Sequence, residues 1–188
     1  MRGVKRGSRG SRDRRSPHIL IKPLGNMSLI IRPARPADHD ALVEQFLGLN
    51  VHENSISHDR RADVAGAEAS LEAAWKQVRE TGGQALVAEL DGRVVGHLFI
   101  VFWQREIFVR EALRPYAYVL ELFVREEVRD AGVGTALMAE AERVATARGL
   151  GTLALGVLAG NHSAEAFYAR RGFSPYAIEL VKRLGSSQ

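Results

Sequence analysis

An Asp-Gly pair, Asp91-Gly92, stands between two runs that read as strands, ALVAEL at 85–90 and RVVGHLFIV at 93–101. Such a pair accepts the positive φ angles of a two-residue turn, so it is the strongest short-range signal for an antiparallel hairpin. The rest of the chain has to be built around that hairpin. Residues 28–32 read as a short strand carrying Leu29, Ile30 and Ile31, ended by Pro33 and Pro36. A helix starts at Pro36 or Ala37, with Leu42, Val43, Phe46, Leu47 and Leu49 on its apolar face. Residues 50–63 are polar and broken, and read as a loop. A second helix spans about 67–81, with Leu71, Ala74, Trp75 and Val78 at helical spacing, and Gly82-Gly83 stops it.

After the hairpin comes a charged connection, 104–115, with no period, and then a strand over 116–124. A helix over 134–148 buries Leu137, Met138, Ala141, Val144 and Ala145. It is followed by a strand over 152–158, a helix over 163–170 and a final strand over 177–183. The order β-α-α-β-β-β-α-β-α-β predicts one α/β domain over 28–188, a mixed sheet with helices on both faces.

Charge is unevenly distributed. Residues 1–26 hold eight basic residues against Asp13 alone, while the remainder carries 18 basic and 21 acidic residues. The high pI therefore belongs to the tail. Gly, Ser and Arg without apolar periodicity cannot bury a core, so residues 1–27 are expected to be a disordered basic extension, and translation starting at Met27 fits that reading. A nucleic-acid-binding arm and a targeting segment stay open as alternatives. The chain has no cysteine, which excludes a disulfide framework, a thiolate metal site and a cysteine nucleophile. No apolar run approaches the roughly 20 residues that span a bilayer, and a cytoplasmic protein is expected.

The most informative segment for function is ELFVREEVRDAGVGTAL at 121–137, a strand, a turn and a helix with Gly132 and Gly134 where the turn enters the helix. Glycine allows positive φ and close approach of an anion. The first amides of a helix have no internal partner and lie at the positive end of its dipole, so the segment reads as a phosphate cradle. It lacks the Gly-Lys-Ser/Thr of a nucleotide-triphosphate loop. It also has Leu137 where a dinucleotide fingerprint needs its third glycine.

Arg129-x-x-Gly132-x-Gly134 resembles the Arg/Gln-x-x-Gly-x-Gly/Ala signature of the GNAT N-acetyltransferases, and Leu122-x-Val124 resembles the end of that family's fourth strand. A second match, Asn161-x-x-Ala164-x-x-Phe167-Tyr168-x-x-x-Gly172-Phe173, resembles the family's later motif at the expected distance. The resemblance covers about residues 28–184. It implies a GNAT fold whose fourth and fifth strands splay apart, with acetyl-CoA as cosubstrate. Leu122 and Val124 would then lie along the pantetheine arm. The amides of Arg129, Asp130, Ala131, Gly132, Val133, Gly134 and Thr135 would take the pyrophosphate. Position 130 departs from the family's frequent glycine.

Acyl transfer from a thioester needs a neutral amine, a base or water to take its proton, and an acid near the departing sulfur. The resemblance makes Tyr168 that acid, facing the sulfur, and Glu121 the base or amine anchor. Strand alternation puts Glu121 on the face opposite Leu122 and Val124. A core tyrosine and a solvent-facing carboxylate are the plainer readings of these two residues. Asn161 either contacts the donor or caps the helix that follows it. His52, Glu53, His58 and Asp59 lie in the first helix–helix connection, where they read as a solvated loop or as part of the acceptor site; their spacing does not suit a metal, and none is expected. Trp103, Phe108, Tyr116 and Tyr118 line an acceptor wall or are ordinary core. The implied partners are acetyl-CoA and an amine acceptor, with no membrane, and with nucleic acid reached only through the tail; a homodimer is left open. A non-catalytic acyl-CoA sensor on the same fold is the alternative function.

Overall fold

The computed structural model describes residues 19–24 and 27–184. The elements in order are β1 (Ile19–Leu24), β2 (Met27–Pro33), α1 (His39–Ser57), α2 (Val64–Thr81), β3 (Gln84–Leu90), β4 (Arg93–Gln104), β5 (Pro115–Val124), α3 (Val133–Ala147), β6 (Leu153–Leu155) and α4 (His162–Arg170). They form one six-stranded sheet in the order β1-β2-β3-β4-β5-β6. The first four pairings are antiparallel and β5–β6 is parallel. The expected hairpin is β3–β4, with Asp91 and Gly92 both at positive φ, 47° and 82°.

Helices cover both faces. Against one face α3 packs Leu137, Met138 and Ala141 onto Leu29, Leu86, Leu98 and Ile100. Against the other, Leu42 and Phe46 of α1 and Leu71 and Ala74 of α2 cover Val87, Phe99 and Val101. The turn between β2 and α1 is fixed by Arg32, whose guanidinium donates to both Asp38 carboxylate oxygens at 2.8 Å and through Nε to Glu89 at 2.7 Å.

Three expectations change. Residues 19–24, assigned to the unstructured extension, form β1, with Ile19, Leu20 and Ile21 opposite Ile31, Ile30 and Leu29. ILIKPL supplies β-branched and aliphatic residues, and β2 offers an unpaired edge. The remainder of that extension lies outside the described residues. Residues 50–57, read as loop, continue α1. Asn50 is buried and donates to the Arg61 carbonyl at 3.1 Å, and His58 closes the helix in the left-handed conformation. Tertiary packing outweighs the low helix propensity of VHENSIS. The final strand expected at 177–183 does not form; residues 173–184 carry no regular secondary structure, because a strand needs a neighbour's backbone groups and none is paired with this one.

A chain beginning at Met27 is expected to melt a few degrees below the full chain, because it loses the β1 pairing along β2. Each kcal/mol lost lowers Tm by roughly 2–4 °C at this length. An unchanged Tm would show that β1 adds nothing to stability.

Candidate functional site

The site is built where β5 and β6 part. They pair only at Ala117–Leu153, Tyr118–Ala154 and Val119–Leu155, so among the described residues β5 has no strand neighbour on that side from Leu120 to Val124. β6 ends at Leu155, short of the expected 158. The Tyr118 hydroxyl lies 2.9 Å from where a Cβ on Gly156 would stand, filling the space beside the diverging chain.

A bulge re-aims the side chains of this stretch. Phe99 faces Glu121 and Ile100 faces Val119, which leaves Leu120 without an opposite residue. Ala117, Val119, Leu122 and Val124 pack toward α3, whereas Tyr118 and Leu120 join the α1–α2 core. Phe123 reaches toward α1, where its ring lies 3.1 Å from a Cβ built on Gly48. It also stacks on His97, centroids 6.0 Å apart. Bulges of this kind turn a side chain toward a functional site.

Glu121 is half-buried, without a hydrogen-bonded partner among the described residues. Burial raises its pKa to about 7, the Glu53 carboxylate adds to the rise, and the Arg60 guanidinium opposes it. Glu53 and Arg60 pair at 2.7 Å, so α1 and the turn that follows it bring a carboxylate and a cation to the same place. Glu53 and His52 thus stand on a helix rather than in a loop. Asp59 accepts from the Ser57 hydroxyl at 2.6 Å, and His58 is the helix cap.

Tyr168, on α4, approaches from the α3 side. Its ring meets Phe167 and Phe173 edge-on, centroids 5.1 and 5.6 Å apart. Burial pushes its pKa up to about 12, with the charge of Glu121 adding to the rise. The Glu121 charge therefore reaches Tyr168 although the two residues belong to opposite faces of the sheet. Tyr118 is also raised, first by burial and then by Tyr116 and Glu121. Trp103 stacks on Tyr118 at 4.6 Å and meets Tyr116 at 6.3 Å, which makes these three one aromatic wall. Phe108 lies apart on an exposed loop.

The turn after β5 has the geometry of an anion cradle. Gly132 caps α3 at φ 87° and Asp130 stands at φ 61°. Asp130 takes the left-handed conformation that glycine favours and that aspartate tolerates, and its side chain is exposed. The first amide to bond within this region is Ala136, to the Gly132 carbonyl. The amides of Asp130, Ala131, Gly132, Val133, Gly134 and Thr135 have no backbone acceptor among the described residues. Arg129 does not join this set as expected: its amide donates to the Glu126 carbonyl at 3.1 Å, and its side chain folds back, Nε donating to the Val124 carbonyl at 3.2 Å. A Cβ on Gly134 would meet the Phe167 ring at 3.3 Å and Val124 at 3.6 Å, so that glycine also lets α4 pack on α3. Asn161 is the N-cap of α4: its Oδ1 accepts from the Ala164 amide at 3.3 Å.

Two contributors were not singled out in the sequence. Arg60 follows the end of α1 and comes back to Glu53, a return that no helical spacing encodes. His97 is fully buried with its pKa lowered to about 3 by burial. Because Gln45 Nε2 donates to the Val94 carbonyl, Gln45 Oε1 accepts from His97 Nδ1 at 2.9 Å. The neutral ring stacks on Phe46 and supports Phe123. Among the described residues no group of three metal-ligating side chains forms, and no helix is long and apolar enough to cross a membrane.

A family model described as the acetyltransferase (GNAT) family matches residues 51–173. A search of curated proteins gives no match. Among solved structures, an aminoglycoside N-acetyltransferase crystallised with CoA is 18% identical, with TM-score 0.62 over 87% of this chain and 99% of that one. An aminoglycoside 6'-N-acetyltransferase from Acinetobacter haemolyticus is 20% identical, with TM-score 0.60 over 82% and 99%. A protein titled a transcriptional regulator from Bacillus halodurans is 18% identical, with TM-score 0.64 over 83% and 99%. At these identities the structural likeness speaks for the fold.

Proposed function

The chain belongs to the GNAT acetyltransferase family, and from that premise we propose that it moves an acetyl or short acyl group from acetyl-CoA onto a primary amine of a small molecule or peptide by direct attack. The observation that carries this reading is the stretch of β5 that β6 leaves unpaired, which carries Glu121 and runs into the free amides at the start of α3. The family uses acetyl-CoA, and the residues present suit it. The free amides from Asp130 to Thr135 offer donors to a pyrophosphate at the start of α3. The backbone of Leu122 and Val124 offers hydrogen bonds along the open edge of β5 to the pantetheine amides, with Asn161 at the far side.

Glu121, poised near neutrality, takes a proton from the amine nitrogen as that nitrogen bonds to the thioester carbon. The carbon–sulfur bond then breaks, and Tyr168 holds a donor toward the thiolate as it forms. The acyl group leaves on nitrogen, and the proton lost there is balanced by one gained at sulfur. Glu53, Arg60 and the wall of Trp103, Tyr116 and Tyr118 border the acceptor. A cytoplasmic placement belongs to the same reading.

The test is a panel of amines with acetyl-CoA, following thiol release, beside a melting experiment. Acetyl-CoA is expected to raise Tm by linkage to the folded state, and at least one amine is expected to turn over. Gly134→Val, which sets a branched side chain against Phe167 and the cradle, is expected to lose most of that Tm gain. Normal donor binding by Gly134→Val would overturn the cradle. A Tm gain without turnover on any amine would favour the acyl-CoA sensor.

A further inference from the structure

The bulge in β5 decides which side chains share a face with Glu121. Simple alternation from Tyr116 and Tyr118 would carry Leu120 and Leu122 onto that face and turn Glu121 toward α3. Leu120 has no opposite residue, and beyond it the phase is reversed, since Leu122 and Val124 pack toward α3. Glu121 therefore continues the row of Tyr116 and Tyr118. Trp103 stands opposite Tyr116 on β4 and stacks on Tyr118, their ring planes 26° apart. All three rings are half-buried, so each keeps surface for a ligand. Tyr118 to Glu121 is roughly 7–10 Å along the strand, the reach of an aromatic ring carried about two to four methylenes from an amine.

The other charges on this side are paired. Glu53 holds Arg60 at 2.7 Å, and Asp59 lies 3.1 Å from Arg60 and 3.8 Å from Arg183. Arg60 is fixed further by its amide, which donates to Asn54 Oδ1 at 3.0 Å. Of these three carboxylates only Glu121 has no ion-pair partner among the described residues. At the outer end of the wall the Arg105 guanidinium lies over the Tyr116 ring, 4.6 Å from its centroid.

We propose that the acceptor is a primary monoamine with an aromatic body, its ring laid on Trp103 and Tyr118 and its nitrogen at Glu121. This acceptor class rests on the acetyl-transfer reading and narrows it; the bonds made and broken are those given above. One unmatched carboxylate suits one ammonium group. A polycation would bring further ammonium groups that find no free carboxylate and face Arg60, Arg105 and Arg183, a like-charge cost that rejects it. A short alkylamine would leave the rings uncovered and gain nothing from them. An aminoglycoside, with several ammonium groups and a hydroxylated surface, meets neither condition.

Steady-state kinetics with acetyl-CoA and four amines test it: phenylbutylamine, butylamine, spermidine and kanamycin. Each is also titrated calorimetrically into the full chain saturated with CoA. Phenylbutylamine is expected to exceed butylamine in kcat/KM by roughly 10–100-fold, the gain from burying a phenyl ring. It is expected to exceed spermidine and kanamycin by at least about tenfold. Trp103→Leu is expected to shrink the ratio of the two monoamines at least about fivefold, with the Tm gain from acetyl-CoA kept. Arg60→Gln, which releases Glu53 and Asp59, is expected to raise spermidine relative to phenylbutylamine. Equal kcat/KM for the two monoamines overturns the proposal, as does a native preference for spermidine or kanamycin. So does a Trp103→Leu or Arg60→Gln variant that keeps the native ratios. Selective binding of phenylbutylamine with no turnover of any amine would uphold the ligand class and overturn acyl transfer; turnover without the phenyl preference would do the reverse.

Discussion

Replacing Tyr168 by phenylalanine is expected to lower kcat by roughly 10²–10⁴-fold, the range for a positioned acid, while stability and donor affinity change little. The ring contacts with Phe167 and Phe173 survive the substitution, so only the hydroxyl is lost. With its pKa pushed up to about 12, that hydroxyl is a neutral donor at every working pH. It is then a weaker acid than a thiol of pKa roughly 8.5, so its main action is a hydrogen bond that strengthens as charge builds on sulfur. The Glu121 charge is part of what holds the phenol's pKa up. Once Glu121 takes the amine proton, that part disappears and Tyr168 becomes a better acid when the thiolate departs. Because the interaction forms along with the thiolate, the loss belongs in kcat more than in KM. A Tyr168→Phe enzyme with near-native kcat from about pH 6 to pH 9.5 would return Tyr168 to a packing role.

The sheet, its hairpin, the helices on both faces and the glycine turn after β5 were legible because each rests on local signals. These were the Asp91-Gly92 turn, the helical spacing of Leu71, Ala74 and Val78, and the glycines at 132 and 134. What was not legible depends on tertiary partners. β1 forms because β2 has an edge to give it, which no reading of residues 19–24 alone includes. α1 runs on through 50–57 because Asn50 finds its acceptor across the helix–helix connection. Alternation put Glu121 opposite Leu122 and Val124, in agreement with the packing. The bulge at Leu120 that sets this phase relative to Val119 is invisible in the strand's composition. The strand pattern at 177–183 was read from real alternation, but pattern without a pairing partner does not make a strand.

Glu121→Gln separates a base from an anchor, and the raised pKa of Glu121 sets the form of the result. If the ionised carboxylate accepts a proton from a bound ammonium, native kcat/KM rises through a pKa of about 7 and then stays level up to the amine's own pKa, roughly 10.4 for a lysine-like acceptor. The variant can use only amine already neutral, so its kcat/KM climbs about tenfold per pH unit over that whole range. The deficit is therefore largest and constant below pH 7, and shrinks above it; roughly 10²–10⁴-fold is expected at its largest. An anchoring role predicts instead a raised amine KM with kcat held, and unchanged kinetics would return Glu121 to a plain strand carboxylate. Stability gives an independent check with its own sign. The folded pKa lies above the unfolded value of 4.5. Below pH 4.5 both states are protonated and the site costs nothing through ionisation. Between 4.5 and about 7 the unfolded chain ionises first, so the native fold loses stability as pH rises, and above 7 the loss is complete at about 3 kcal/mol. Glutamine escapes that loss. Glu121→Gln should melt several degrees above the native chain at pH 8, and the gain should vanish near pH 4. A variant that is slower yet more stable at pH 8 is what a carboxylate held partly out of water for its chemistry requires; equal Tm at both pH values would mean that Glu121 is solvated.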